Sequence, residues 1–526
     1  MRCTAILILI FIGLISCDQE PTSPLDSSFY PDQLHFGTHH VGFKTLWKYD
    51  ITRAAVPYSD WNGNLYPTKE TAGRQFQINI WYPTEDKNGE GYVSMKDYLN
   101  LSYRQVDFAE SDKSRAFGQK EFISKVNDLH GSGSLTADVL TKLEPIGCRA
   151  IQNAKPLKGP FPVIIYPNGI APVSNSATSE YLASHGFVVI SFAPKGENGS
   201  TIDNSTKGAE VASDDIGFVL SQILELPFVD RENIGLMGNA IESSFCIAYQ
   251  SKNRNIDAYV SLEGGFISSF EQSILNDLPF YEPTSIDIPL LLIYSPHSSI
   301  DPVHIEHLIY SRRYFAHLPG MREFEYLNFG LFNNIVPNII GQPRGDIERG
   351  YTAAHELLKD YFNTLLKNNG ESFDQMLARS KNAIIDTTFI WDEIPNLPRM
   401  AGIKNGYIKQ GLRYIDSLYT HQKQYASTPF SRQFITDFTD WVAWKKDPEY
   451  STRKWLMEKA IEDYPASALY SYDMAYYTLK AGDTLQAKVQ YEMALEKLKT
   501  DTDQKLTPSL RTTISKRSID QLKKIK

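Results

Sequence analysis

Apolar and polar residues alternate in different ways along this chain. Between residues 161 and 367, short apolar runs are separated by segments with the 3.6-residue period of amphipathic helices. Uninterrupted apolar runs of this kind are typical of strands that are covered on both faces. The predicted strands are Pro162–Tyr166, Phe187–Phe192, Ile234–Met237, Ala258–Leu262 and Pro289–Tyr294, and the predicted helices include Ser179–His185, Ala209–Leu226 and Gly350–Leu366. Strands that alternate with helices over short links predict a mostly parallel sheet sandwiched by helices.

The flanking segments have other patterns. Val41–Leu46 and Phe76–Pro83 alternate with period two, which predicts an opening hairpin. Residues 85–156 are polar and irregular, with helical stretches at Ser114–Val126 and Leu135–Leu143, and we expect an insertion beside the site. Beyond residue 368 the strand pattern gives way to helical periods. The 526 residues therefore predict a sheet domain over 34–367 and a helical domain over 368–526.

The first 33 residues are expected to lie outside the fold. In residues 1–16, Arg2 precedes an apolar run, Ala5–Ile15, that is too short to span a membrane and predicts a signal sequence. Its end resembles a bacterial lipobox, which implies that Cys17 is acylated. Residues 17–33 then form a flexible tether. We expect a lipid-anchored protein of the bacterial cell envelope, with an ordinary secretory signal as the alternative.

Composition excludes some classes of function. A net charge of −9 without clustered Lys and Arg argues against a nucleic-acid partner. Cys148 and Cys246 are expected to be buried thiols, although a disulfide between them stays open. His304 and His307 can share a helix face but lack a third ligand, so we expect no metal, and we expect no cofactor.

One segment carries the candidate chemistry. A short apolar strand runs into Gly238-Asn239-Ala240-Ile241-Glu242 and continues as an apolar helix. This is the layout of a nucleophile elbow, in which G-x-S-x-G lifts a serine above the sheet. Here Ala240 takes the serine position and Glu242 takes that of the second glycine. The layout predicts the elbow without its nucleophile.

Several segments in order resemble the α/β-hydrolase superfamily, in its platelet-activating-factor acetylhydrolase and dienelactone-hydrolase-like branch. They are Val41–Leu46, Tyr166–Ile170, Tyr181–Val189, Val229–Gly238 and Asp257–Gly264. The resemblance implies a triad whose serine, acid and histidine positions are Ala240, Glu263 and Leu331. No histidine occurs between His317 and His355, so a small shift in alignment does not recover the base.

These positions support two hypotheses. In the first, the chain is a degenerate hydrolase that binds a ligand or a protein, and the amides of Ile170 and Ile241 still form an oxyanion-type pocket. In the second, it is an active serine esterase or acyl hydrolase with a displaced catalytic set. The candidates for that set are Ser243 or Ser244 as nucleophile, Asp301 as acid, and His297 or His304 as base. Asp301-Pro302 equally predicts the start of a helix.

The end of the chain suggests a repeat. Residues 468–500 resemble a tetratricopeptide repeat, on the small, glycine and aromatic positions Ala475, Gly482, Ala487, Tyr491 and Ala494. A helical hairpin with chance spacing is the alternative. A repeat of this kind implies a groove for a protein or peptide partner.

Overall fold

The computed structural model describes most of the chain after residue 28. The described residues are 29–54, 58–59, 65–66, 73–86, 90–105, 108, 111–130, 133–197, 203–253, 255–263, 265–296, 300–367, 371–395, 397, 400–445, 447, 450–502 and 506–525. The predicted signal sequence, Cys17 and His297 lie outside them. No helix in these ranges is long and apolar enough to cross a membrane.

Thirteen strands occur in the described ranges. They are β1 (His40–Asp50), β2 (Tyr58–Ser59), β3 (Leu65–Tyr66), β4 (Arg74–Thr84), β5 (Tyr92–Ser94), β6 (Gly147–Gln152), β7 (Phe161–Pro167), β8 (Val188–Phe192), β9 (Val229–Asn239), β10 (Ala258–Leu262), β11 (Leu290–Tyr294), β12 (Arg313–His317) and β13 (Thr387–Trp391). Eleven of them form one sheet in the order β13-β12-β11-β10-β9-β7-β8-β4-β1-β6-β5, and β2 pairs with β3. The central strands from β12 to β8 pair in parallel.

The helices are as follows. They are α1 (Met95–Tyr103), α2 (Asp112–His130), α3 (Ala137–Leu143), α4 (Ser176–Ser184), α5 (Thr206–Ile223), α6 (Ile241–Lys252), α7 (Ser269–Asn276), α8 (Asn328–Phe332), α9 (Ile347–Lys367), α10 (Phe373–Ser380), α11 (Met400–Gln410), α12 (Leu412–Gln422), α13 (Arg432–Ala443), α14 (Ser451–Asp463), α15 (Ala468–Lys480), α16 (Thr484–Lys497) and α17 (Pro508–Lys524). Short 3-10 turns occur at Gly265–Ile267, Pro283–Ser285, Pro302–Ile305 and Glu323–Tyr326.

Two apolar cores cover the two faces of the sheet. Alternate residues of β7 belong to different cores: Ile164 and Tyr166 face the core that contains α4 and α9, whereas Val163 and Ile165 face the core that contains α5 and α6. This alternation follows from the period of two in a strand. The predicted fold class, a mostly parallel sheet sandwiched by helices and followed by a helical region, is confirmed.

The predicted hairpin is confirmed, but the sheet extends further than predicted at both ends. β1 pairs antiparallel with β4, from His40 opposite Thr84 to Asp50 opposite Arg74. β13 lies beyond residue 368, where we predicted helices alone, and pairs antiparallel with β12. β6 lies in the predicted insertion and pairs in parallel with β1. Part of the insertion therefore belongs to the sheet.

The end of the predicted tether is packed against the domain. Phe29 and Tyr30 are buried, Phe29 stacks on Phe332 at 5.6 Å between ring centroids, and the Tyr30 hydroxyl donates to Glu180 at 2.5 Å. The prediction of a flexible tether does not hold for Phe29 and Tyr30, because their aromatic side chains have partners in the core. Residues 17–28 stay a prediction.

The helical region has its own core. Residues of α11 to α15 form a cluster around Phe438 and Leu456. The predicted repeat segment is a pair of antiparallel helices, α15 and α16. Its small and aromatic positions, Ala475, Ala487, Tyr491 and Ala494, are buried. Gly482, at the turn between the helices, has a φ of +95°, which glycine adopts readily.

Candidate functional site

The turn from β9 into α6 has the geometry of a nucleophile elbow. Ala240 joins the two elements with φ 47° and ψ −124°, a backbone conformation that residues other than glycine rarely adopt. Its amide donates to the carbonyl of Leu262 on β10 at 3.1 Å. A Cβ on Gly238 would lie 2.4 Å from the backbone of Ser243, so the turn requires a glycine there. The fold therefore keeps the sharp turn and places a methyl group at its tip.

Glu242 is attached to the neighbouring loop between β7 and α4. Its carboxylate accepts a hydrogen bond from the amide of Gly169 at 2.8 Å. From the other side, Lys125 of α2 donates to the carbonyl of Gly169 at 2.6 Å. The backbone amide and carbonyl of Gly169 are thus both bound by charged side chains. One comes from the elbow helix α6 and the other from the segment 85–156.

Burial perturbs both charged groups. It raises the pKa of Glu242 to about 7, while the hydrogen bond from Gly169 and the charge of Lys125 act in the opposite direction. Burial also lowers the pKa of Lys125 to about 7, opposed by the charge of Glu242. Each group favours the charged form of the other, as expected of two ionisable groups that share a buried site.

The amides that sequence reasoning assigned to an oxyanion-type pocket differ in their surroundings. The amide of Ile170 donates to Oδ1 of Asn168 at 2.9 Å, and Oδ1 also accepts from the Ser174 hydroxyl at 2.7 Å. The loop thus uses this donor internally. Ile241 is the first residue of α6, where backbone amides lack a partner within the helix. The expected pair of donors therefore reduces to Ile241 in this structure.

Glu263 lies where the resemblance places the triad acid. It follows β10 with a φ of +60°, and its carboxylate accepts a hydrogen bond from the hydroxyl of Ser295, the residue after β11. Burial raises the pKa of Glu263 to about 7, and Ser295 opposes the shift. The phenol of Tyr326 is buried beside them, and burial followed by the charge of Glu263 raises its pKa.

The loop between β12 and α9 contains Leu331, the position that the resemblance aligns with the triad histidine, and also the carboxylate of Glu323. Leu331, the aligned position, is fully buried in the core that contains α9. Glu323 of the same loop is the residue that the structure brings near the site. Burial raises its pKa to about 8, and the charges of Glu263 and Glu242 add to that shift. The charges of Glu263 and Glu242 thus disfavour the ionised form of Glu323.

The displaced catalytic set is not assembled by the described residues. The hydroxyl of Ser243 donates to the carbonyl of Ala240, and both Ser243 and Ser244 are fully buried. Asp301 caps the turn Pro302–Ile305 by accepting from the amide of Val303 at 2.9 Å, as its Asp-Pro sequence predicts. His304 lies in that turn. Ser243 and Asp301 thus bind local backbone groups, while the candidate His297 lies outside the described residues.

The cysteines and histidines that the sequence singles out form no disulfide and no metal site among the described residues. Cys148 and Cys246 are free, buried thiols, which settles the open question of a disulfide. His307 is half-buried, and this partial burial lowers its pKa to about 4. Within the described ranges, no three His, Cys, Asp or Glu side chains are placed to hold a metal ion.

Sequence reasoning missed Lys125, Ser295, Glu323 and Tyr326. Ser295 had a signal, because it directly follows a predicted strand at the end where parallel sheets place functional residues. Lys125 and Glu323 had none, since each reaches the site from a segment with no motif of its own.

Comparison with known proteins finds similarity among solved structures alone. Neither the profiles of protein families nor the curated proteins match this chain. Among solved structures, the chain is similar to a ferulic acid esterase from Streptomyces cinnamoneus. The two share 20% identity over 63% of this chain and 91% of that chain, with a TM-score of 0.41.

Proposed function

We propose that this protein is a catalytically degenerate α/β-hydrolase-like protein that binds a ligand or a protein partner and does not cleave esters. The observation that carries the proposal is the methyl group of Ala240 at the tip of an elbow that keeps its strained geometry. A methyl group has no lone pair with which to attack a carbonyl carbon. Acyl transfer of the serine type therefore has no first step at this position.

The surroundings support the same conclusion. A serine at the elbow needs a base to take its proton and amides to stabilise the oxyanion. The described part of the loop after β12 offers Glu323 and no histidine. The carboxylate of Glu242 already accepts from the Gly169 amide, and a second anion there would be repelled. Losing nucleophile and base together lowers the rate by on the order of 10⁶.

A mutation to restore the serine tests this proposal. We expect that Ala240→Ser, alone or with Glu242→Gly, hydrolyses p-nitrophenyl acetate no faster than the parent protein, because the base is still missing. Fluorophosphonate labelling of the parent, mapped by peptide mass, should give no adduct. An active serine esterase labelled in parallel controls for the reagent.

The opposite result would identify the displaced catalytic set. An adduct on Ser243 or Ser244 would show an activated serine and establish the esterase hypothesis. Turnover by Ala240→Ser that disappears in Ala240→Ser/His297→Ala would show that His297 serves as the base. Circular dichroism of each variant establishes that the fold is intact.

We also propose that the protein is a lipid-anchored lipoprotein of the bacterial cell envelope. The support is the sequence alone: a short apolar signal that ends in Ser16-Cys17, followed by a polar segment. Acyl chains on Cys17 would contribute about 0.8 kcal/mol per buried methylene to membrane binding. Cys17→Ser should move the protein from the membrane to the soluble fraction, and intact mass should show the loss of the acyl groups.

A further inference from the structure

A groove lies between the last two described helices of the chain. It has a volume of about 750 Å³ and runs between α16 and α17. Leu495, Leu498 and Ile519 line its floor, and Ile519 is 41% exposed. A concave apolar floor of this size is typical of sites that receive a segment or a small molecule.

Lysines form the rim of this groove. Lys499, Lys516 and Lys523 line it, with Asp520 as the one acidic side chain in the lining. Lys499 pairs with Glu496. Lys516 and Lys523 are exposed, and no carboxylate of the described chain lies within ion-pair distance of either. The groove therefore presents two lysine side chains that have no ion pair among the described residues.

The charge of α17 is opposite to that of the whole protein. Its sequence, PSLRTTISKRSIDQLKK, contains five basic residues and one acidic residue, a formal charge of +4, whereas the chain carries −9. Basic residues concentrated on one helix of an acidic protein select anionic partners through the local field. The lining therefore matches a partner segment that carries both acidic and apolar side chains.

The spacing of the side chains sets the pattern of that segment. Lys516, Ile519 and Lys523 follow one another at i, i+3 and i+7, so they share one face of α17. The two lysines are separated by roughly 10 Å along the helix axis, at about 1.5 Å per residue. A helix with acidic residues seven positions apart and an apolar residue between them matches both the charges and the floor.

We propose that the groove between α16 and α17 binds an acidic amphipathic segment of a partner protein. The segment places an apolar side chain against Leu495 and Ile519 and acidic side chains against Lys516 and Lys523. This names the partner class for the binding role proposed above. It does not depend on whether the elbow is catalytic, since the groove contains none of the elbow residues.

A peptide titration tests the proposal. The probe is a fluorescein-labelled helical peptide of about 14 residues, roughly four turns, with glutamates at i and i+7 and leucine at i+3. Fluorescence anisotropy with the full-length protein should show saturable binding that weakens as salt is added. The analogue with glutamine in place of both glutamates should bind at least tenfold more weakly.

Matched variants locate the site. Lys516→Gln/Lys523→Gln should lower the affinity for the peptide at least tenfold. Ile519→Ser should lower the affinity that remains at high salt, where the contribution of the charges is screened. Arg517→Gln/Lys524→Gln, on the same helix but outside the groove lining, should stay within about twofold because it removes the same two charges elsewhere.

Three results would overturn the proposal. They are no saturable binding of the probe, equal binding of the glutamine analogue, and unchanged affinity of Lys516→Gln/Lys523→Gln. Flotation with vesicles that contain phosphatidylglycerol examines the competing class of partner. Vesicle binding that depends on these two lysines, without peptide binding, would assign the surface to a membrane. Fluorophosphonate labelling reports separately on the elbow, so the two proposals fail in different assays.

Discussion

The charged side chains at the elbow have partners inside the protein, whereas two lysines in the groove between α16 and α17 do not. At the elbow, Glu242 and Lys125 both bind the backbone of Gly169, so each charge has a fixed partner inside the protein. In the groove, Lys516 and Lys523 lie on an exposed helix face, and no carboxylate of the described chain lies within ion-pair distance of either. The first region is closed by its own groups, and the second is open to a partner.

This difference indicates what the charged side chains of each region contribute to. A buried charge is costly unless it is paired and hydrogen-bonded, so a charge with fixed partners contributes to the stability of the domain. An exposed lysine keeps its hydration and costs little. We infer that the contacts of Glu242 and Lys125 with Gly169 make the elbow a structural junction of the sheet domain. The helical domain keeps charges available for binding.

The largest effect is expected where the sheet domain pairs charges most completely. Asp215 is fully buried and accepts from both Nε and Nη2 of Arg74 at 2.7 Å and from Arg53 at 2.8 Å. Asp215→Ala would leave the buried Arg74 guanidinium without its partner. We expect a loss of about 4 kcal/mol in the free energy of unfolding, measured with urea.

The adjacent residue is the matched control. Asp214 is 52% exposed and pairs with Lys252 on the surface at 3.2 Å. Asp214→Ala should change the free energy of unfolding by less than about 1 kcal/mol, because surface ion pairs are worth little. Equal losses for Asp214→Ala and Asp215→Ala would contradict the contrast between internal and surface pairing.

A smaller effect with a defined pH dependence is expected at Glu263. Burial raises its pKa from 4.5 to about 7, so between these values the folded protein holds a proton that the unfolded chain has released. This contribution to stability is complete below pH 4.5 and is lost as the pH rises through 7. Glu263→Gln should therefore gain stability over the parent as the pH rises, by up to about 3 kcal/mol at pH 8.

Urea unfolding of both proteins at pH 4 and pH 8 measures this gain. Glu356→Gln, which removes an exposed carboxylate from α9, controls for the change in net charge. A constant difference between Glu263→Gln and the parent at the two pH values would mean that Glu263 ionises alike in the folded and unfolded states.

The elbow and the central sheet could be predicted because their signals are local. The run Ile234–Met237, the glycine at 238 and the apolar helix after it lie within one short segment. β12 and β13 were missed, since Arg313–His317 is polar at both ends and Thr387–Trp391 is only half-buried at the edge of the sheet. Strands with such ends do not show the continuous apolar pattern of a central strand.

The contacts within the site were harder to predict because they join distant segments. From the sequence, Glu242 could only be recognised as a replacement of the second glycine of the elbow. The structure shows that its carboxylate accepts a hydrogen bond from the Gly169 amide. That contact depends on the path of the loop after β7, and the contact of Lys125 depends on the position of α2. Phe29 likewise lies in a segment without a regular pattern of apolar residues, so the sequence did not predict its contact with Phe332.

The smallest effect on stability is expected in the groove. Lys516→Gln/Lys523→Gln removes two exposed charges from a helix of like charge, so we expect a change of less than about 0.5 kcal/mol in the free energy of unfolding. The direction should be toward greater stability at low salt, since repulsion within α17 falls. Urea unfolding at low and high salt measures both. A loss above about 1 kcal/mol in the free energy of unfolding would show that these lysines have partners within the protein. The groove would then have a structural role, like the elbow.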